Sequence, residues 1–552
     1  MGAHQATGAG VFASRSEIAD APNKAARDRL IKALATEPIG SARHGLWDAF
    51  IQAKRLSEAV SEFVHVPGGD GGRFPFTGRG DVNTYALFAE LVANLNRARA
   101  GVIVPTGVAT DATTAPFFAH LVEQNRLARL VDFENRAKLF SAVDSRQKFC
   151  LLTMGQREPT ARFAFFLTDP TQLAVSERSF TLSPRSIATI NPNTRTAPVF
   201  RSRQDGELTA KIYDKVPMLM EDSQGAQGNP WGVCFASLFH MSNDSHLFRT
   251  AAALSAGGWF RNGTGWVAEG ANSNVAPDLL TADGPSLNSA PEPQRAHRYV
   301  PLYEAKMIHQ FDHRWATYGE TGKTMDATPA QKANPHWEPT PRYWVPAEEV
   351  TARLDAKGWE ASWLLGWRDI TNATNERTVI AGIVPRCGVG HNLPLMLPSG
   401  NHLAAIPGLL GALTSITCDF VARQKIGGTN LSFFIIKQFP ILPPSFYSPE
   451  RLAFVTPRVL VLTYTSHALA PFARDLGYSG PPFPWDEQHR ALLQAELDAF
   501  YARAYGLSRD ELRYILDPAD VMGADYPSET FRGLKKKEIR AHGEYRTRSL
   551  HT

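Results

Sequence analysis

The sequence predicts an α/β half-sheet followed by a larger mixed α+β region, on three observations. Between residues 81 and 155, apolar spacing alternates between a helical period and short uniform runs, in the order helix, strand, helix, strand, strand. Downstream of residue 155, long periodic segments become scarce while Gly, Pro, Asn and Trp accumulate, the composition of a loop-rich domain. The 552 residues, 43% hydrophobic and 20% charged, leave room for two or more domains with sizeable cores.

Residues 1–23 are rich in Ala, Gly and Ser and are expected to be poorly ordered. From 24 to 63, Leu30, Ile31 and Leu34, then Leu46, Trp47, Phe50, Ile51, Leu56 and Val60 recur at helical spacing. Residues 67–81 form a glycine-rich loop whose amides could bind an anion. No strand leads into it and no Gly-Lys-Ser/Thr ending follows, so a flexible connection is expected. Tyr85, Leu87, Phe88, Leu91, Val92 and Leu95 define the next helix, with Asp81 or Asn83 placed to cap it. Residues 101–105 read as a strand buried on both faces. A helix over 113–124 follows, with Phe117, Phe118, Leu121 and Val122 on its apolar face. Strands over 128–133 and 148–154 close the stretch, joined by a loop around Phe140. Further on, strands are expected at 163–167, 379–385 and 433–440, helices over 205–215 and 487–514, and an exposed loop over 268–293. The basic tail beyond 530, with Arg532, Lys535, Lys536, Lys537 and Arg540, reads as a solvated helix end.

The formal net charge of +4 is small for this length, so any nucleic-acid binding must come from local patches. Cys150, Cys234, Cys387 and Cys418 are widely spaced with no C-x-x-C pair, which disfavours zinc and suits a reduced, cytoplasmic setting. No run is long and apolar enough to cross a membrane, and the first residues lack the pattern of a signal peptide. His309 and His313 stand one helical turn apart, but Gln310 occupies the position of a general-base Glu, so no metal site is expected.

Asn83-Thr-Tyr-Ala-Leu-Phe88, Val102-Ile-Val-Pro105, and Leu139-Phe140-Ser-Ala-Val leading to Phe149-Cys-Leu-Leu152 match the fifth, sixth and eighth motifs of one family. The chain resembles the C-terminal part of amino-group DNA methyltransferases, in particular the adenine-N6 enzymes of type IIG restriction–modification and of the BREX and DISARM phage-defence systems. The resemblance implies the second half of a Rossmann-like methyltransferase sheet over 24–155, then a mixed α+β target-recognition domain over 156–445 and a helical extension over 446–552. The family's glycine-rich cofactor turn and its Asn-Pro-Pro-aromatic tetrapeptide should lie upstream of these motifs. The S-adenosylmethionine pocket is therefore expected on an N-terminal portion or on a partner chain. Asn191-Pro, Asn229-Pro and Asn334-Pro fall after the matched motifs, in the wrong order for that tetrapeptide, and read as turns.

Phe140 is the residue the resemblance singles out. An enzyme that modifies a base must take it out of the duplex, and the flipped base needs an aromatic face. In the family, the eighth-motif aromatic supplies that face; a core phenylalanine beside Leu139 is the competing reading. For double-stranded DNA the candidates are Arg195, Arg201, Arg203, Asn243, Lys306, Arg423, Lys425, Thr429 and Asn430. In residues 423–430 two basic side chains precede a Gly-Gly pair, which would let backbone amides approach phosphates. Two functions compete. One is part of a site-specific adenine-N6 methyltransferase that requires a complementary N-terminal chain. The other is a non-catalytic DNA specificity subunit or decayed remnant.

Overall fold

The apolar runs between residues 100 and 182 do not stop at a half-sheet; they build one mixed five-stranded sheet. The structure is a computed structural model that describes residues 10–13, 15–22, 24–145, 147–268, 298–524 and 526–551. The chain folds as two units, the first reaching Ala210 and including Gln424–Gly428, the second comprising Lys211–Arg423 and the chain from Thr429. It is a mixed α/β protein with several mixed sheets.

In the first unit, helices α1 (Lys24–Leu34) and α2 (Ala42–His65) pack around Ile31 and Leu34. Phe12 and Ile18 are buried in the same cluster, so the expectation of poor order over 1–23 fails for the described part. An aromatic and a β-branched side chain supply the apolar area that the surrounding Ala and Gly lack. The glycine-rich loop is also not a loose connection. Glu90, buried on helix α3 (Thr84–Leu95), accepts from the Phe76 and Thr77 amides at 3.2 and 2.9 Å and from Thr77 Oγ1 at 2.6 Å. A side chain on Gly78 would meet the Val64 carbonyl oxygen at 1.9 Å, which is why glycine stands there.

The sheet runs β1 (Ala100–Pro105), β3 (Lys148–Met154), β2 (Leu127–Glu134), β4 (Ala161–Leu167), β5 (Phe180–Leu182). Strand β3 lies antiparallel between β1 and β2, so those two point the same way. In this sheet β2 and β4 pair in parallel, and the other described pairs are antiparallel. Two expectations change. Strand β1 is an edge strand and not doubly buried: exposure alternates along it, and Ile103 is 60% exposed. Uniform apolar character cannot distinguish a strand buried on both faces from one whose outer face is left open. The expected boundary after residue 155 also moves, because β4 and β5 join this sheet. Helix α4 (Ala115–Glu123) buries Phe117, Phe118, Leu121 and Val122 as its period predicts.

The second unit holds a sheet of Tyr343–Pro346, Arg298–Tyr303, Gly265–Ala268 and Trp259–Asn262, and another of Ala381–Pro385, Trp363–Trp367, Leu395–Leu397 and Cys234–Ala236. The strand expected over 433–440 is instead a helical turn, Phe433–Ile436. Consecutive apolar residues in so short a run carry no period to choose between the two states. The loop expected over 268–293 lies outside the described residues beyond Ala268. Among the described residues no single helix is long and apolar enough to cross a membrane.

Candidate functional site

The first unit gathers its unusual chemistry at one end of the sheet. Because β1 and β2 run the same way, their carboxyl ends lie together, with Pro105 and Phe133 both opposite Phe149 at the start of β3. In open α/β sheets that end is where ligands bind. The loop 135–147 crosses it. Asn135 is 0% exposed and holds that loop from inside. Its Nδ2 donates to the carbonyls of Phe140 and Val143 at 2.8 and 2.9 Å, and its Oδ1 accepts the Phe140 amide at 2.9 Å. Phe140 thereby stands with its ring edge-on to Phe149, centroids 4.8 Å apart, while Phe149 stacks on Phe133 at 5.5 Å. Phe140 remains 42% exposed. It is neither a core residue nor a loose one: one edge is seated on aromatic support and the remainder is open.

Behind the loop, Asp132 ties the strand ends together. Thr106 Oγ1 donates to its Oδ1 at 2.5 Å, and the Phe166 amide donates to its Oδ2 at 3.0 Å. Burial raises the Asp132 carboxyl above the ordinary range, with Lys148 opposing. Phe166 sits where the β2–β4 register slips and takes a positive φ of 59°. A bulge with a non-glycine residue in the left-handed region is strain of the kind found at functional sites. Tyr85, on α3 nearby, is pushed up to about 12 by burial and by Asp111.

Of the basic candidates in this unit, Arg195 pairs with Glu123 and Arg203 is exposed at the start of helix Arg203–Lys215. Arg201 lies 3.8 Å over the Phe166 ring. Lys425 is corrected: it is 5% exposed, and its Nζ donates to Ile190 O at 2.9 Å and Asn191 Oδ1 at 2.5 Å. It meets protein oxygens where a phosphate had been expected. The neighbouring glycine has a packing reason, since a side chain on Gly427 would meet Thr110 at 2.4 Å.

In the second unit Arg423 is corrected in the same sense. It is 1% exposed, paired with Asp419 at 3.2 Å, and donates to the carbonyls of Ala373, Glu376 and Thr530. Lys306, Thr429 and Asn430 are exposed and share one neighbourhood around residues 368–371. Arg368 donates to Lys306 O, Asn430 Nδ2 donates to Asp369 Oδ2 at 2.9 Å, and Thr371 N donates to Thr429 O at 2.9 Å. Asn243 is exposed beside His240, which stacks on His391 at 4.4 Å. Arg368, Ile370 and His391 on this surface were not anticipated; no motif or period marks them. His309 and His313 do not share a helix face: His313 Nε2 lies 3.1 Å from Ser466 Oγ and 3.3 Å from Glu338, and the His309 ring lies tilted against Trp315, centroids 4.4 Å apart. Among the described residues no cluster of three metal-ligating side chains occurs. Asn191 binds Lys425, Asn229 closes a turn on Val233, and Asn334 follows a helix end.

Strand β1 leads into Gly107, but a side chain there would meet Asp111 Oδ2 at 2.3 Å and Tyr85 Oη at 3.2 Å. The space beside that glycine is filled by the protein's own Asp111 and Tyr85 side chains.

No protein-family model matches the chain, and no curated protein does. Among solved structures, the type IIG restriction endonuclease BpuSI is matched over 79% of this chain and 51% of that chain, at 12% identity and a TM-score of 0.23. The chain thus spans about half the length of that structure.

Proposed function

We propose that the chain is the base-stacking and target-recognition part of a site-specific DNA adenine-N6 methyltransferase of a restriction–modification or phage-defence system. In this reading Phe140 receives an adenine taken out of the duplex, and the surface around Lys306, Asn243, Thr429 and Asn430 meets DNA. A complementary N-terminal chain holds S-adenosylmethionine and the Asn-Pro-Pro-aromatic tetrapeptide. The observation that carries the reading is the loop 135–147, pinned by Asn135, with half-exposed Phe140 at the shared carboxyl ends of β1 and β2. A stacking surface must be rigid on one side and open on the other, and Phe140 has both properties.

The complementary chain is supported by the open side of the same sheet. Ile103 and Leu151 are register partners and both exposed, and Phe88 and Leu95 on α3 are exposed as well. An unpaired strand edge beside such apolar surface accepts another strand readily.

The experiment uses a duplex carrying 2-aminopurine opposite an abasic position, where extrusion costs least. Stacking on Phe140 should quench its fluorescence, and Phe140→Ala should restore it while Phe140→Trp retains the quench. A response indifferent to residue 140 overturns the base-stacking role. Sequencing of modified bases, with and without the product of the adjoining upstream reading frame, then tests methyl transfer.

A further inference from the structure

We propose that the chain pairs with a second copy of itself through the outer face of helix α2, the two helices running antiparallel. The inference concerns the first unit alone and does not depend on the base-stacking reading.

Helix α2 carries two apolar stripes, where a surface helix that serves one core needs only one. Leu46, Trp47 and Phe50 pack on the cluster of Phe12, Ile31 and Leu34. Val64, about five turns beyond Leu46, is buried on that same side. Leu56, Val60 and Phe63 are instead 68%, 54% and 58% exposed, and Ala59 is exposed between them. The spacing i, i+3, i+4 and i+7 aligns these four on one strip, about a third of a turn away from the inward face. The period that marks Leu56 and Val60 as core in the sequence is a true helical period, but its apolar side faces outward. Contiguous exposed apolar surface of this kind marks an interaction site.

The charges along the strip select its occupant. In heptad terms Leu56 and Phe63 take position a, Ala59 position d and Val60 position e, so Arg55 and Glu62 fall at successive g positions on one border. Both are exposed, and among the described residues neither side chain has a hydrogen-bond or ion-pair partner. Lys54 and Glu58 pair with each other at 3.6 Å on the side away from the strip. A two-fold axis crossing the strip between Ala59 and Val60 sets Leu56 against the second copy's Phe63, and Ala59 against the second copy's Val60. It also sets one g border against the other, so Arg55 of each copy meets Glu62 of the other, twice by symmetry. Sliding the pair one heptad towards the helix start would oppose Arg55 to Arg55 and Asp48 to Glu62. A slide the other way would oppose Glu62 to Glu62. A parallel pair would place Arg55 beside Val60 and gain no ion pair. The strip therefore complements itself in one orientation and one register. The facing stretch is about two turns per copy, which makes the pair a weak, concentration-dependent one.

Sedimentation velocity of the full chain over rising protein concentration tests the pairing. The wild type should pass from monomer to dimer, whereas Leu56→Glu and Phe63→Glu should remain monomeric with circular dichroism unchanged. Arg55→Glu and Glu62→Arg should each weaken the dimer about tenfold, because two exposed ion pairs become two repulsions. The double variant Arg55→Glu/Glu62→Arg should regain the wild-type dissociation constant. An equimolar mixture of the two single variants should dimerise more tightly than either alone, since the mixed pair restores both attractions. A chain that stays monomeric at every concentration overturns the proposal. If in that case Leu56→Glu also loses the product of the adjoining upstream reading frame, the strip belongs to that complementary chain. A dimer indifferent to Phe63→Glu lies elsewhere on the molecule. A dimer that charge reversal does not weaken, or that double reversal does not restore, is not antiparallel through α2. Either result overturns the proposal.

Discussion

Asn135 holds Phe140 by both of its side-chain amide atoms, Nδ2 to the Phe140 carbonyl at 2.8 Å and Oδ1 from the Phe140 amide at 2.9 Å. The pair mimics a backbone ladder inside a loop, and it fixes a half-exposed aromatic at the end of the sheet where β1 and β2 finish. Asparagine suits the place because its neutral amide donates and accepts at once.

Asn135→Ala should therefore disorder the loop more than it unfolds the unit. It leaves buried carbonyls and an amide unpaired, at about 1–3 kcal/mol. Limited proteolysis within 135–147 should become faster while the urea midpoint shifts modestly. An unchanged cleavage rate would show that the aromatic stack alone holds Phe140.

Phe140→Ala should cost little stability, because the ring is 42% exposed, yet should lose about 1–3 kcal/mol of base stacking. Binding to the 2-aminopurine duplex and thermal unfolding, measured side by side, check the contrast. A large loss of stability with unchanged binding would make the residue a packing element.

Arg423→Ala should destabilise the second unit by about 3–5 kcal/mol, because it leaves Asp419 buried without one of its two guanidinium partners, Arg423 and Arg377. The salt slope of DNA binding should not move in the folded variant. A reduced slope without loss of stability would return Arg423 to the DNA surface.

Lys425 makes a pH prediction. Burial lowers its ammonium from the ordinary 10.5 to about 7. Below about pH 7 both states bind the proton and the burial cost is present in full. Between about 7 and 10.5 the unfolded chain keeps a proton that the folded chain has released, so stability rises with pH. The contribution is at most about 1.4 kcal/mol per pH unit, and Lys425→Met should remove it. Parallel stability curves for wild type and variant from about pH 7.5 to 9.5 would show that the hydrogen bonds to Ile190 and Asn191 keep the lysine charged.

Ile103→Lys should improve the solubility of the isolated chain, since it places a charge on the open strand edge. The same change should abolish stable association with the complementary chain, read by size-exclusion chromatography. Association that survives the lysine would put the interface elsewhere.

Periodicity and turn chemistry by themselves determined the elements of residues 81–155. The helix over 84–95, the apolar face of Phe117, Phe118, Leu121 and Val122, and the three strands follow from spacing, and so does the loop that carries Phe140. These are local properties, set by which side chains a helix or strand aligns on one face. Tertiary structure alone decided what each charged or apolar residue meets. Arg423 and Lys425 look like surface cations in sequence, yet distant carbonyls and an aspartate enclose them. Ile103 looks like core, yet its strand lies at an edge. The Lys148–Phe166–Arg201 group joins side chains from two strands and a later segment through one strained residue. Burial and partnership depend on which remote segments arrive beside a residue, and no local pattern encodes that arrival.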